Sequence, residues 1–404
     1  MTECRFLQIH YLTSYPASLL NRDDAGYAKR IPFGNADRVR ISSQCLKRHW
    51  RKHWKEEEEE FLKEIGWEPS VRSRRIFEEK IARPLIQEGL DEETVRAVLE
   101  NFQREILAGR EETEREQGGD ETTAPEEEDV EEKEEKLVTS KQVIVLGVPE
   151  IEYIKKTARE IVRSSKDAED AKSKTNLKKK KGLLSLEEHK KVLKALGKAQ
   201  GFDAALFGRM VTSDILARGD GAVHVAHPFT VHDIQAETDY FSAVDELVLE
   251  AGELGAGHID VTELTSGVFY GYVVVDVREL IKNLSDDQET AARATEKLIE
   301  TIATVSPGAK RGSTAPYSHA ELVLIEAGTR QPRSLANAFR NATDPVLTTA
   351  IRALGDHLKA FDRMYGQEEE RRIAAMEDVA EIPAEKVQML GDLARWAGKQ
   401  IRGG

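Results

Sequence analysis

Residues 266–277 read SGVFYGYVVVDV, a run of β-branched and aromatic side chains bounded by Ser and Asp, which spells a strand. Working outward, GAVHVAHPFTVH (221–232) and ALFGRMVTS (205–213) before it have the same character, as does AELVLIEAG (320–328) after it. Between the last two strands, DDQETAARATEKLIETIATV (286–305) reads as a helix, followed by the loop SPGAKRGSTAP (306–316). Near the start, CRFLQIHYLTS (4–14) is a buried first strand. A first strand, a long insert, further strands, a helix and a strand suit a ferredoxin-like α+β sheet, the architecture of RNA-recognition modules, with large insertions. The last sixty or so residues read as helices.

The chain has 404 residues, enough for a sizeable core and more than one lobe, and its apolar and aromatic content is ordinary. Its formal charge of −14 is concentrated in EETEREQGGDETTAPEEEDVEEKEEK (111–136), where fourteen carboxylates face three basic residues. The remainder carries only −3, so the global charge describes one segment and does not exclude a nucleic-acid partner. Cys4 and Cys45 are isolated from each other, which suggests a reducing compartment. The N-terminus lacks a secretory pattern and no apolar run reaches transmembrane length, so a cytoplasmic protein is expected.

Positive charge gathers in NRDDAGYAKRIPFGNADRVRISSQCLKRHWRKHW (21–54), with nine Lys or Arg against three Asp. Such an excess beside Ser and Gln suits a polyanion-binding surface, because phosphate contacts supply most nucleic-acid affinity. The stretch runs from a loop into a helix N-capped by Ser42 or Ser43. Helical spacing puts Gln44, Lys47, Arg48, Arg51 and Lys52 on one face and Leu46, Trp50, His53 and Trp54 on the other. The bland alternative is a solvated charged face, and this stretch alone does not decide between them.

KEEEEEFLKEIGW (55–67) continues that helix, Asp91 opens another with Gly109 as its stop, and Ser185 starts a capping box. The acidic insert 111–136 is expected to be disordered, and KSKTNLKKKK (172–181) to be a mobile, solvating loop. Residues 227–265 form an intervening loop too long for a tight hairpin. Its adjacent Tyr240 and Phe241 are candidates for stacking on bases, although packing on Val244 and Leu247 is the simpler reading.

Other chemistry finds little support. His224, His227 and His232, or His49 with His53, lack the partners of a recognisable metal set. The loop around Lys310 lacks P-loop spacing, and no G-x-G-x-x-G or G-x-S-x-G occurs. No cofactor or metal is expected. Asp23 and Asp24 are the only carboxylates that could be argued as catalytic, against a turn or a salt bridge to Arg22 or Arg30.

SLLNRDD (18–24), Lys29, PFG (32–34), RVRISSQCLKR (38–48) and Arg51 resemble the signature of the CasC family. Those proteins are the repeated backbone subunit of the type I-E CRISPR surveillance complex Cascade, within the RAMP superfamily. The resemblance resumes in GRMVTS (208–213), DGAVHVAH (220–227), Thr230, His232, Asp239, Phe241 and AVD (243–245). It continues in LTSGVFYGY (264–272), SPGAKR (306–311) and SLANAF (334–339), so the blocks cover about half the chain in the family's order.

The resemblance implies an RNA-recognition-like palm (1–59, 201–222 and 265–404), helical fingers (60–200) and a protruding thumb (223–264). Copies would polymerise along one CRISPR RNA with other Cascade subunits and present the guide to target DNA, without catalysis. Carried over by position, Arg22, Lys29, Ser42, Gln44, Lys47, Arg51 and Lys310 would contact the guide backbone, and Met210 and Phe241 would pack against displaced nucleotides. Backbone contacts carry no sequence information, as accepting any spacer requires. The acidic insert and the lysine run depart from the family pattern. The rival readings are a type III-like backbone subunit cleaving target RNA through Asp23 or Asp24, and a general single-strand binder outside CRISPR.

Overall fold

The computed structural model describes residues 4–107, 138–140, 143–175, 201–209, 220–244 and 256–403. The acidic insert, most of the lysine run, the capping box at Ser185, Gly109 and Met210 lie outside the described residues. The chain forms two compact units. One comprises Met1–Glu57, Val223–Ile281 and Asp287–Gly404, the other Glu58–Ala222 with Lys282–Asp286.

In the first unit, strands β1 (Phe6–Ser18), β6 (Val223–Val225), β9 (Ala256–Asp276) and β10 (Leu322–Gly328) lie side by side in the order β10-β1-β9-β6. Every neighbouring pair is antiparallel. With the first helix (Ser43–Glu57) after β1 and a helix Gln288–Thr304 after β9, the chain follows the β-α-β-β-α-β path of a ferredoxin-like sheet. The sheet is mixed because β11 (Glu370–Ala375) extends it beyond β10 and β12 (Glu385–Lys386) joins β11 in parallel. The sequence reading assigned this region to helices. ERRIAA lacks a β-branched run, and its place in the sheet depends on distant partners: Arg371, buried, donates from Nε to Glu326 Oε1 at 2.6 Å.

The second half of β9 is SGVFYGYVVVD, Val277 already opening the next helix, and its interior glycine has a steric cause. Gly271 lies opposite Tyr11 on β1, and a Cβ there would come within 2.0 Å of the Tyr11 ring. One sheet face carries Leu12, Tyr270, Leu322, Leu324 and Ile373 and is closed by Leu354 and Leu358 of a C-terminal helix (Leu347–Tyr365) with Phe339. The surface that RNA-recognition modules use for bases is therefore core here. Beneath the same helix Glu326 holds Arg333 in a two-point pair (2.5 and 2.8 Å) and contacts His10 Nε2 at 3.1 Å. Elsewhere in this unit helix Leu390–Arg402 packs on Gln288–Thr304, and Trp54 of the first helix donates to Thr301 Oγ1 at 2.8 Å.

The expected loop 227–265 is mostly strand. After β7 (Phe229–Thr230), β8 (Ala236–Val244) pairs antiparallel with the first half of β9 along Ala236↔Thr265 to Val244↔Ala256. The result is a two-stranded ribbon whose nine-residue β8 arm runs about 30 Å. AETDYFSAV has no polar and apolar alternation, with three polar residues and then two aromatics in succession, so only the partner strand 256–265 reveals the pairing.

The second unit buries Phe77, Ile81, Leu85, Val98, Phe102, Ile154 and Ile161 among its helices, of which Glu92–Leu107 and Val148–Ser164 are the longest described. As expected, Asp91 caps the first of these, accepting from Thr94 N at 2.9 Å. Two readings are corrected. The first helix ends at Glu57 and a separate helix, Glu59–Glu64, begins the second unit, because Glu58 leaves helical geometry (φ −120, ψ 29). Residues 205–207 are helical, not a strand. Gly201 and Gly208, both at positive φ, bracket helix Phe202–Phe207, and buried Asp203 accepts from Ser70 N and Oγ at 2.7 and 2.8 Å. Those contacts tie the helix to the rest of the second unit.

Candidate nucleic-acid interface

The basic stretch folds onto the base of the hairpin ribbon. Asn21 organises its start: Asn21 O accepts from Lys29 N at 2.9 Å and Asn21 Oδ1 from Ser42 N at 2.8 Å. Arg22 and Ala28 form an isolated antiparallel bridge. Asp23 closes the turn between them, its Oδ1 accepting from Tyr27 N at 2.9 Å, so the turn reading of this carboxylate holds. The rest of the supposed loop is a small hairpin of β2 (Arg30–Phe33) and β3 (Ala36–Val39).

Ser42 is the N-cap, its Oγ accepting from Cys45 N at 3.2 Å. From there the first helix buries Leu46, His49, Trp50 and Trp54. His49 joins the packed side, its Nδ1 donating to Cys45 O at 2.8 Å, and His53 is half-buried. Burial, and then the cations Arg311 and Arg48, push His49 below its ordinary pKa. Burial pushes the Cys45 thiol up, which keeps it a thiol. Gln44, Arg48 and Lys52 are exposed, and Lys47 and Arg51, which border the side that carries the tryptophans, are partly buried.

The loop containing Lys310 meets the same region. Ala309 N donates to Leu19 O at 2.9 Å, and Lys310 Nζ reaches Thr262 Oγ1 on β9 at 2.6 Å. Arg22, Lys29, Ser42, Gln44, Lys47, Arg51 and Lys310, separated by up to 288 positions in the sequence, thus lie on three segments tied to one another and to the ribbon's base. Phe241 pairs through its backbone with Asp260 higher on the ribbon. Its neighbour Tyr240 is 63 % exposed, and Leu247 and the side chain of Val244, the partners of the packing alternative, lie outside the described residues.

Not every cation of the stretch is available. Arg38 is fully buried, 0 % exposed, and its guanidinium donates to the main-chain oxygens of Phe33, Thr230 and Phe339 at 3.4, 3.2 and 2.9 Å. Arg30 pairs with Glu263 of β9, whose other oxygen accepts from Ala28 N at 2.7 Å. Arg40 contacts His227 Nδ1 at 2.9 Å, and burial together with Arg40 and Lys29 lowers that imidazole's pKa. His232 is a structural histidine: Nδ1 donates to Asp233 O at 2.7 Å, and Nε2 accepts from Val268 N at 3.2 Å. Among the described residues no group of three His, Cys, Asp or Glu is placed to hold a metal. The sequence reading missed Glu263 and Thr262, for which a polar pair inside an otherwise strand-like run was the sole signal.

Fold and site together define an α+β protein with a ferredoxin-like sheet, a projecting two-stranded ribbon, and hydrogen-bonding and cationic side chains gathered where the ribbon leaves the sheet. The chain belongs to the CT1975-like protein family (Cas_CT1975), whose model matches residues 7–396. No curated protein matches it. Among solved structures it is similar to a chain of a "CRISPR RNA-guided surveillance complex, pre-nicking" at 26 % identity and a TM-score of 0.75, covering 98 % of this chain and 100 % of that one. A second, from a "CRISPR RNA-guided surveillance complex", shares the fold at 23 % identity and a TM-score of 0.65, over 98 % of this chain and 99 % of the other. Among the described residues no helix is long and apolar enough to cross a membrane.

Proposed function

We propose that this chain is a CRISPR RNA-binding backbone subunit of a Cascade complex, of the type I-E CasC kind. Copies of it assemble along the spacer of one guide in the cytoplasm, beside other Cascade subunits, and present the guide for pairing with target DNA. One observation carries the reading: the end-to-end likeness to a chain of a CRISPR RNA-guided surveillance complex. The site suits the task. Its cations stand beside an N-terminal helix turn and can hold a phosphate backbone while leaving bases to a partner strand. Guide pairing then supplies the sequence specificity.

The subunit is a scaffold and not a nuclease on this reading. The Asp23 carboxylate is engaged in its own turn, which favours the scaffold over cleavage of target RNA through Asp23 or Asp24. Sequencing the RNA that copurifies with the protein tests the assignment, with repeat-derived ends flanking diverse spacers as the expected result. A mixture of cellular RNA without such ends would overturn it. Incubating the assembled complex with guide-complementary RNA and Mg²⁺ tests the scaffold claim, and regular cuts abolished by Asp23→Ala or Asp24→Ala would refute it.

A further inference from the structure

We infer that Glu263, at the base of the ribbon, is a positioning residue that shapes the basic loop for the guide backbone, and that the ribbon's stem spaces two separate cationic segments. The inference rests on the guide-binding reading above.

A carboxylate amid phosphate-binding cations is at first sight a liability, since like charges at this range repel. Glu263 is only 7 % exposed, however, and both of its oxygens are engaged. Oε2 accepts from Ala28 N at 2.7 Å, and Oε1 takes the Arg30 guanidinium. The two partners flank Lys29. The backbone of Lys29 is itself fixed, its N donating to Asn21 O at 2.9 Å and its O accepting from Arg40 N at 2.8 Å. Lys29 therefore projects from a main chain held on every side, and the loop's only anchor to the ribbon through a charged group among these contacts is Glu263.

The adjacent position does the matching task on the other side. Thr262, also 7 % exposed, accepts from Lys310 Nζ at 2.6 Å. Successive strand residues point to opposite faces, so two neighbouring positions of β9 hold the 21–30 loop and the 306–316 loop on its two sides. The distance between the cationic segments is then set by the thickness of one strand. The geometry argues for pre-organisation: groups fixed before the guide arrives lose less freedom on binding.

The test compares Glu263→Ala, Glu263→Gln and Arg30→Met with the parent, using fluorescently labelled guide RNA over a series of KCl concentrations. Positioning predicts that Glu263→Ala weakens binding roughly tenfold, the effect of one lost charge-assisted contact, although a negative charge has been removed. It also predicts a salt slope shallower by about 0.7, one single-strand phosphate contact, and faster hydrogen exchange at the Ala28 amide. Glu263→Gln, which keeps an acceptor for Ala28 N, falls between Ala and parent. Arg30→Met weakens binding in the same direction, and adding it to Glu263→Ala causes little further loss. Tighter or unchanged binding in both Glu263 variants overturns the proposal, because it identifies Glu263 as a bystander charge. Failure of the parent to bind guide RNA would instead overturn the guide-binding reading and this inference with it.

Discussion

Replacing Lys47 and Arg51 together by alanine separates phosphate binding from a merely solvated helix face. The two residues lie one turn apart on the first helix, at the flank of the side that buries Trp50 and Trp54. Alanine is the best helix former, so the helix should persist. The candidate cations of the site are Arg22, Lys29, Lys47, Arg51 and Lys310. If each meets one phosphate, the logarithm of the binding constant falls with the logarithm of salt at a slope of about −3.5 per protomer for a single strand. The double variant leaves three contacts and a slope of about −2.1. Between about 50 and 200 mM KCl the parent then loses roughly 130-fold in affinity per protomer and the variant roughly 20-fold. Fluorescence anisotropy with two unrelated spacers measures both slopes. Parallel slopes, or a loss confined to one spacer, would refute the phosphate role.

Arg38→Met should act in the opposite sense, because Arg38 is buried on three main-chain oxygens: stability in urea falls by about 3 kcal/mol or more as those acceptors lose their donor, while the salt slope of the folded fraction is unchanged. Acid should destabilise the first unit in two stages, read as Tm against pH. Burial lowers the pKa of His10 despite its Glu326 partner, so below about pH 6.5 the unfolded chain takes up a proton that the folded chain refuses, and stability drops by up to about 1.4 kcal/mol per pH unit for this group. Burial raises the Glu326 carboxyl, but Arg333 and His10 outweigh it and hold it below the usual range, so its contribution is present above about pH 4.3 and lost as the pH falls further. His10→Gln should make the first stage shallower, leaving the part that the depressed His49 and His227 contribute, and an unchanged slope between about pH 7.5 and 5.5 would count against the buried imidazole. Deleting residues 111–136, a net −11 with one valine and one alanine, should leave guide binding and assembly intact in gel filtration, and loss of assembly would show the segment to be part of the grip.

What the amino-acid sequence determined by itself is mostly local. Strand character in 266–277 and 320–328, the helix read over 286–305, and the caps at Ser42 or Ser43 and at Asp91 depend on neighbours a few residues away, and the structure has them within two residues as strands to Asp276 and from Leu322, a helix Gln288–Thr304, and caps at Ser42 and Asp91. The concentration of cations in 21–54 was equally visible. The fate of those cations was not. Arg30 pairs with Glu263 across 233 residues and Arg38 reaches Phe339 across 301, and no window of sequence contains both ends of such contacts. The same holds for β11, recruited to the sheet with Arg371 set against Glu326, and for the helix at 202–207, fixed by Asp203 on Ser70. The ribbon needed its partner strand to be seen. Burial and ion pairing are decided by whatever the fold brings together, so composition marked a basic region, and only tertiary structure divided it into side chains that hold the protein together and side chains left to meet a ligand.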